Sequence, residues 1–199
     1  MTHAVFSDLI PSAVSIAQEA PADVAGREAL LDAALGPARH RKTSARLRTG
    51  RLPADGLAFV AHDDGRVVGT IRLWNIAAGG APALLLGPLA VAASHEGQGL
   101  GSRLMRRALA EAAFRGHAAV ILVGDAPYYQ RFGFSRSLTE NLILPGPVEP
   151  DRFLGFELKP GALRDAGGLV VATGDRATAA NRVARSQSES RDRLERKAA

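Results

Sequence analysis

The chain has 199 residues, 46% of them apolar and 23% charged, which suits one folded domain with a sizeable core and excludes collagen-like, disordered and disulfide-scaffold classes. It contains no cysteine, so disulfides, thiolate nucleophiles and zinc–sulfur sites are excluded as well. The formal charge of +5 is uneven: residues 176–199 carry seven Lys/Arg and three Asp/Glu, leaving 18 basic and 17 acidic residues for positions 1–175.

In chain order, Val14 to Glu19 reads as a short first strand. PADVAGREALLDAALG follows as a helix, with Pro21 in its first turn, an apolar stripe of Ala25, Leu30, Leu31 and Ala34, and Gly36-Pro37 as its stop. Ala38 to Arg48, rich in helix formers, predicts a second helix. From Leu57 the pattern changes: LAFVAHD, the turn Asp64-Gly65 and RVVGTIRLWNI make a hairpin, and ALLLGPLAVAA is the next strand. Gly87-Pro88 inside that strand predicts a bulge or an edge, because proline cannot donate to a ladder. Leu104, Met105, Ala108, Leu109 and Ala112 recur at helical spacing, Gly116 stops that helix, and AAVILVG is a buried strand, so the crossover joins a parallel pair. The helical stretch APYYQRFGF and strands in NLILPG, RFLGFELKP and GLVVATG complete an α/β (α+β) domain with a mixed sheet.

The expected organisation is an extension over residues 1–13, one domain over 14–175, and a basic tail over 176–199 that is disordered or a frayed helix. Because the tail carries the excess charge, a solubilising role is expected before a nucleic-acid or membrane contact. No stretch of about 18 apolar residues spans a bilayer, and the N-terminus lacks a basic start followed by an apolar run, so a cytoplasmic protein is expected. The histidines His3, His40, His62, His95 and His117 form no close pair at metal-ligand spacing, and no metal is expected.

The segment most suggestive of chemistry is LGPLAVAASHEGQGLGS, Leu86 to Ser102, where a strand runs into Gly97, Gly99 and Gly101 and then straight into a helix. Such a turn aims backbone N–H groups and the positive end of the helix dipole at one point, which suits a phosphate. The Gly-Lys-Ser/Thr of a P-loop is missing, and the spacing does not fit the dinucleotide fingerprint GxGxxG.

Glu96-Gly97-Gln98-Gly99-Leu100-Gly101 and Tyr129-Gln130-Arg131-Phe132-Gly133-Phe134 together resemble the GNAT superfamily of acyl-CoA-dependent N-acyltransferases. The first matches Gln/Arg-x-x-Gly-x-Gly/Ala except at Glu96; the second is the family's aromatic before Gly-Phe. The resemblance covers about Val14 to Val171, and GPLAV, LVGDAPYYQRFGF and LPGP are most similar to its bacterial YhbS-like branch. It implies a centrally splayed sheet flanked by helices, with acetyl-CoA or another acyl-CoA as co-substrate. The pantetheine arm would lie along Leu89, Ala90 and Val91, and the pyrophosphate on the amides of Gly97, Gln98, Gly99, Leu100, Gly101 and Ser102. Arg103, Arg106 and Arg107 could screen the phosphates, although solvated arginines on an amphipathic helix are the simpler reading. Glu96 would repel the pyrophosphate unless its carboxylate points into solvent, and at worst weakens affinity without abolishing binding.

The resemblance also implies Tyr129 as the general acid for the departing thiolate, with Tyr128 as its competitor. A backbone N–H of the Leu89 to Val91 strand is the candidate oxyanion donor. Asp125, His40, His62, Asp63 and Asp64 are candidate bases, with Asp125 equally suited to capping the next turn. Trp74 and Arg72, placed at the end of the third strand, are candidate substrate contacts, and the segments expected to shape the acceptor pocket carry no readable charge bias. The expected activity moves an acetyl or short acyl group to a primary amine, of a small molecule or a protein, by direct attack. The alternatives are a weakly active CoA-binding sensor or scaffold, or an acetyltransferase with a nucleic-acid arm; a homodimer is compatible with the sequence.

Overall fold

In the computed structural model, residues 14–179 are described. The extension over 1–13, with His3, and the tail from residue 180 onward lie outside the described residues. Among the described residues eight strands form one mixed sheet: β1 (Ser15–Gln18), β2 (Ala58–Asp63), β3 (Arg66–Ala78), β4 (Ala81–Val91), β5 (Ala119–Val123), β6 (Leu142–Ile143), β7 (Phe153–Glu157) and β8 (Gly168–Ala172). Among the described residues four α-helices accompany them: α1 (Val24–Leu35), α2 (Thr43–Arg46), α3 (Leu100–Phe114) and α4 (Ala126–Gln130). The spatial order is β1-β2-β3-β4-β5-β7, with β8 paired to the far end of β3 and β6 to β8. β4 and β5 run parallel through the α3 crossover, while the other neighbours on the main path are antiparallel.

Alternation along the central strands explains why they read as continuous apolar runs. Leu84 and Leu86 of β4 and Val120 and Leu122 of β5 pack on one face with Leu104, Met105, Ala108 and Ala112 of α3. Ala83, Leu85, Ala119 and Ile121 pack on the other with Leu47, Leu142 and Phe153. A sheet covered on both faces needs no polar alternation.

The N-terminal region departs from its predicted pattern. Ala25 and Ala34 of α1 are exposed, and the helix buries Arg27 beside Leu30 and Leu31. Arg27 is drawn in by Glu19, whose Oε1 lies 3.1 Å from its Nε and whose other oxygen accepts from Arg72 Nε at 2.6 Å. Arg27 and Arg39 both reach Glu28, and Arg39 Nε donates to Asp32 at 2.8 Å, so a chain of ion pairs ties β3, β1 and α1 to the following turn. The helix predicted from Ala38 to Arg48 is instead a 3-10 turn over Pro37–Arg41 and the single turn of α2, broken at Lys42 with φ −62° and ψ 143°. Tertiary contacts override propensity there: Thr43 Oγ1 donates to Pro147 O at 2.6 Å and Arg46 Nη1 to Pro145 O at 2.9 Å. β3 runs four residues beyond Trp74, which places Arg72 and Trp74 in mid-strand, not at its end.

Candidate functional site

The sheet parts in its middle. β4 and β5 pair only at Leu84↔Val120 and Leu85↔Ile121. Beyond that point β4 stays with β3 as far as Gly69↔Val91, but the register slips between Leu73↔Leu86 and Ile71↔Leu89, so Gly87-Pro88 holds one extra residue. This is a bulge of the kind its sequence predicts, and it bends β4 away from β5. A cavity of 760 Å³ fills the resulting gap. It is walled by Leu86 to Val91, by the loop into α3, by Leu122 to Asp125, by both tyrosines of α4, and by residues between Leu35 and Thr49.

Leu89, Ala90, Val91, Gly97, Gly99, Leu100, Gly101 and Ser102 all line this cavity; Gln98 does not, and its Nε2 donates to Ser94 O at 2.9 Å. The Ala92 N–H donates to Val68 O at 2.8 Å. By strand alternation Ala90 points its backbone groups the same way, toward Thr70, while Leu89 and Val91 turn theirs to the gap. Below them Gly97 and Gly99 hold φ of 72° and 76°, a left-handed conformation in which a side chain is strained. Gly99 caps α3, whose first intrahelical bond here is from the Arg103 N–H to Gly99 O at 3.0 Å. The amides of Leu100, Gly101 and Ser102 therefore have no acceptor within the helix, an arrangement that suits an anion. Glu96 lies on the wall, exposed. None of Arg103, Arg106 and Arg107 lines the cavity: Arg103 donates to Val14 O at 3.0 Å, Arg107 pairs with Glu111 and stacks on Phe59, and Arg106 is exposed.

The two tyrosines part company. Tyr128 brings its hydroxyl to 2.8 Å from where a Cβ on Gly101 would stand, over the start of α3. Tyr129 lays its ring on Gly124 at the end of β5, where a Cβ would come within 2.1 Å of it, and packs edge-on to Phe134 with ring centroids 6.0 Å apart. Burial, reinforced by Tyr128 and Asp125 and opposed by Arg152, pushes the Tyr129 hydroxyl up to about 12. It is a proton holder at neutral pH. Asp125 caps α4, accepting from the Tyr128 N–H at 3.3 Å.

Of the other candidate bases, only His40 lines the cavity, exposed on its 3-10 turn. His62 Nε2 is 2.8 Å from Asp23, Asp63 meets His95 Nε2 at 3.0 Å, and Asp64 sits in the hairpin turn with φ 45°. Arg72 is bound to Glu19 and Trp74 is buried beneath Arg48, so neither lines the cavity. Sequence reasoning missed Arg48, Arg131 and Arg152, which do line it. The basic run from Arg39 to Arg48 was visible only as composition, since no periodicity said which of its cations turn inward. The wall is therefore basic where no charge bias was expected. Among the described residues no group of three His, Asp or Glu side chains is placed to hold a metal ion, and no helix is long and apolar enough to cross a membrane.

Comparisons with known proteins agree with this geometry. A model of the acetyltransferase (GNAT) domain matches residues 54–136. The N-acetyltransferase YhbS of Escherichia coli K12, itself uncharacterized, is 31% identical over 154 residues, 76% of this chain and 92% of its own. The crystal structure of E. coli YhbS in complex with CoA superposes with a TM-score of 0.70 at 31% identity, over 80% of this chain and 89% of that one. A GNAT family acetyltransferase from Brucella melitensis, in complex with acetyl-CoA, gives a TM-score of 0.55 at 29% identity, over 73% and 96% of the respective chains.

Proposed function

The chain belongs to the GNAT N-acetyltransferase family, and from that premise we propose that it moves an acetyl or short acyl group from acyl-CoA to a primary amine by direct attack. The observation that carries this reading is the parted β4–β5 seam, which opens into one cavity ending on the free amides of α3. Leu89 and Val91 offer backbone groups to a pantetheine arm as a neighbouring strand would, and residues Gly97 to Ser102 receive the pyrophosphate. CoA and acetyl-CoA stand in the two relatives' structures, which supports the same donor here.

In the transfer step the neutral amine attacks the thioester carbonyl, forming the C–N bond as the C–S bond breaks. An N–H of the Leu89 to Val91 strand faces the carbonyl oxygen as its charge develops. Tyr129 gives its hydroxyl proton to the departing thiolate and recovers one from solvent, while the amine's surplus proton leaves to water. Burial keeps that hydroxyl protonated, so the acid is in its working form across the neutral range.

A sensor that binds CoA without turnover is favoured by one observation: the carboxylates on the wall are Glu96 and Asp125, and Asp125 serves as a helix cap. Thiol release from acetyl-CoA across an amine panel, with calorimetry of CoA binding alongside, separates the readings. Turnover that drops in Tyr129→Phe without loss of CoA affinity is expected; tight binding with no turnover on any amine supports the sensor, and no binding at millimolar CoA overturns both.

A further inference from the structure

Among the described residues, Arg48 in the cavity wall is a cation with no ion-pair partner. Arg39 gives its guanidinium to Glu28 and Asp32, and Arg131 lies 4.5 Å over the Tyr128 ring with its Nε donating to Tyr128 O. Arg48 differs. Its Nε donates to Ser44 O at 3.2 Å, and its guanidinium rests 5.2 Å from the ring centre of Trp74, which is 5% exposed and forms a fixed platform. Among the described residues its two Nη groups have neither a hydrogen-bond nor an ion-pair partner. The wall segment from Leu35 to Thr49 contributes Arg39, His40, Lys42 and Arg48 but no carboxylate.

Desolvation, with Arg39 and Arg72 nearby, presses Arg48 down to about 10, so it remains charged at neutral pH at a cost. A partly desolvated cation beside like charges is stable in company with an anion, and none of the surrounding described residues supplies one. A guanidinium held flat on an indole, with both Nη groups free, matches a carboxylate in two parallel hydrogen bonds. The same end of the cavity repels amines that carry further positive charge.

We propose that the acceptor is a small amine that also carries a carboxylate, and that Arg48, steadied on Trp74, holds this carboxylate while the amine faces the acyl donor. The proposal rests on the transferase reading and names its substrate class. Arg48 is thus a specificity-determining residue, and Trp74 positions it.

The test pairs amino acids with their primary amides and with the corresponding decarboxylated amines as acceptors. Wild-type protein is expected to favour the acids by at least tenfold in kcat/KM. Arg48→Gln is expected to erase that preference mainly through KM, with Arg48→Lys recovering part of it and CoA affinity the same in both variants. Preference for amides or diamines, or a preference for acids that survives in Arg48→Gln, overturns the proposal. Calorimetry of the CoA-loaded protein with N-acetyl amino acids and their amides needs no turnover, so failure of the transferase reading leaves this arm intact. Binding of the acids that weakens at least tenfold in Arg48→Gln supports the carboxylate clamp; equal binding of amides, or no binding of either at millimolar concentration, overturns it. Loss of CoA binding in Arg48→Gln would place Arg48 on the donor and overturn the proposal.

Discussion

The two ends of the cavity are built from different materials. The end at the start of α3 is made of main chain: free amides, two left-handed glycines and a bulged strand. The opposite end is made of side chains, with Arg48 on Trp74 and a 3-10 turn anchored through Arg39 to Glu28 and Asp32. Main-chain amides donate to the same phosphate whatever residues surround them. Side-chain walls change with every substitution, so a common donor with a variable acceptor is what this division of materials allows.

The sharpest way to break that comparison is Glu19→Ala, which leaves Arg27 and Arg72 without their shared carboxylate; Glu19 and Arg27 have side chains 5% and 7% exposed. A loss of about 3–5 kcal/mol in urea unfolding is expected, with CoA affinity little changed at temperatures where the variant is folded. Collapse of CoA affinity in the folded variant would show that the ends are coupled. Next in size is Gly99→Val, which forces a β-branched residue to a φ of 76° at the α3 cap. CoA affinity by calorimetry should fall by about 100-fold, with a smaller loss of stability than in Glu19→Ala.

Tyr129→Phe should lower kcat by about 100-fold and leave CoA affinity unchanged. Because burial raises the Tyr129 hydroxyl to about 12, the acid form persists below that value and is lost only as pH rises through it. A wild-type kcat profile should therefore show no falling limb from this residue below pH 10 or so. A limb near pH 8 that vanishes in Tyr129→Phe would contradict the environment described. The smallest effect belongs to Glu96→Gln, an exposed charge on the wall beside the amides. CoA should bind about two- to fivefold more tightly at low ionic strength, the gain fading as salt is added.

The same division explains what the sequence made legible. Gly87-Pro88, Gly97 and Gly99 are constraints on the main chain, and constraints on the main chain show as residue types at fixed places. The apolar runs of β4 and β5 and the spacing of Leu104, Met105, Ala108 and Ala112 likewise gave their elements directly. Arg27 is different: it interrupts an expected apolar stripe because Glu19, on another element, neutralises it. The break at Lys42 depends on Pro145 and Pro147, about a hundred residues away along the chain. Arg48 lies over Trp74, which receives it in mid-strand. Each of these depends on a partner distant in sequence, which no local window contains.

The seam between β4 and β5 has a consequence for the molecule as a whole. Two rungs of parallel pairing join the strands on one side of the domain to those on the other. A guest laid along the open stretch, as proposed for the acyl donor, would supply the rungs that are missing and so become part of the scaffold as well as a reactant. Saturating it at a hundred times its dissociation constant would add about 2.7 kcal/mol to folding. The melting temperature of this protein would then act as a gauge of how much CoA, free or acylated, its surroundings hold.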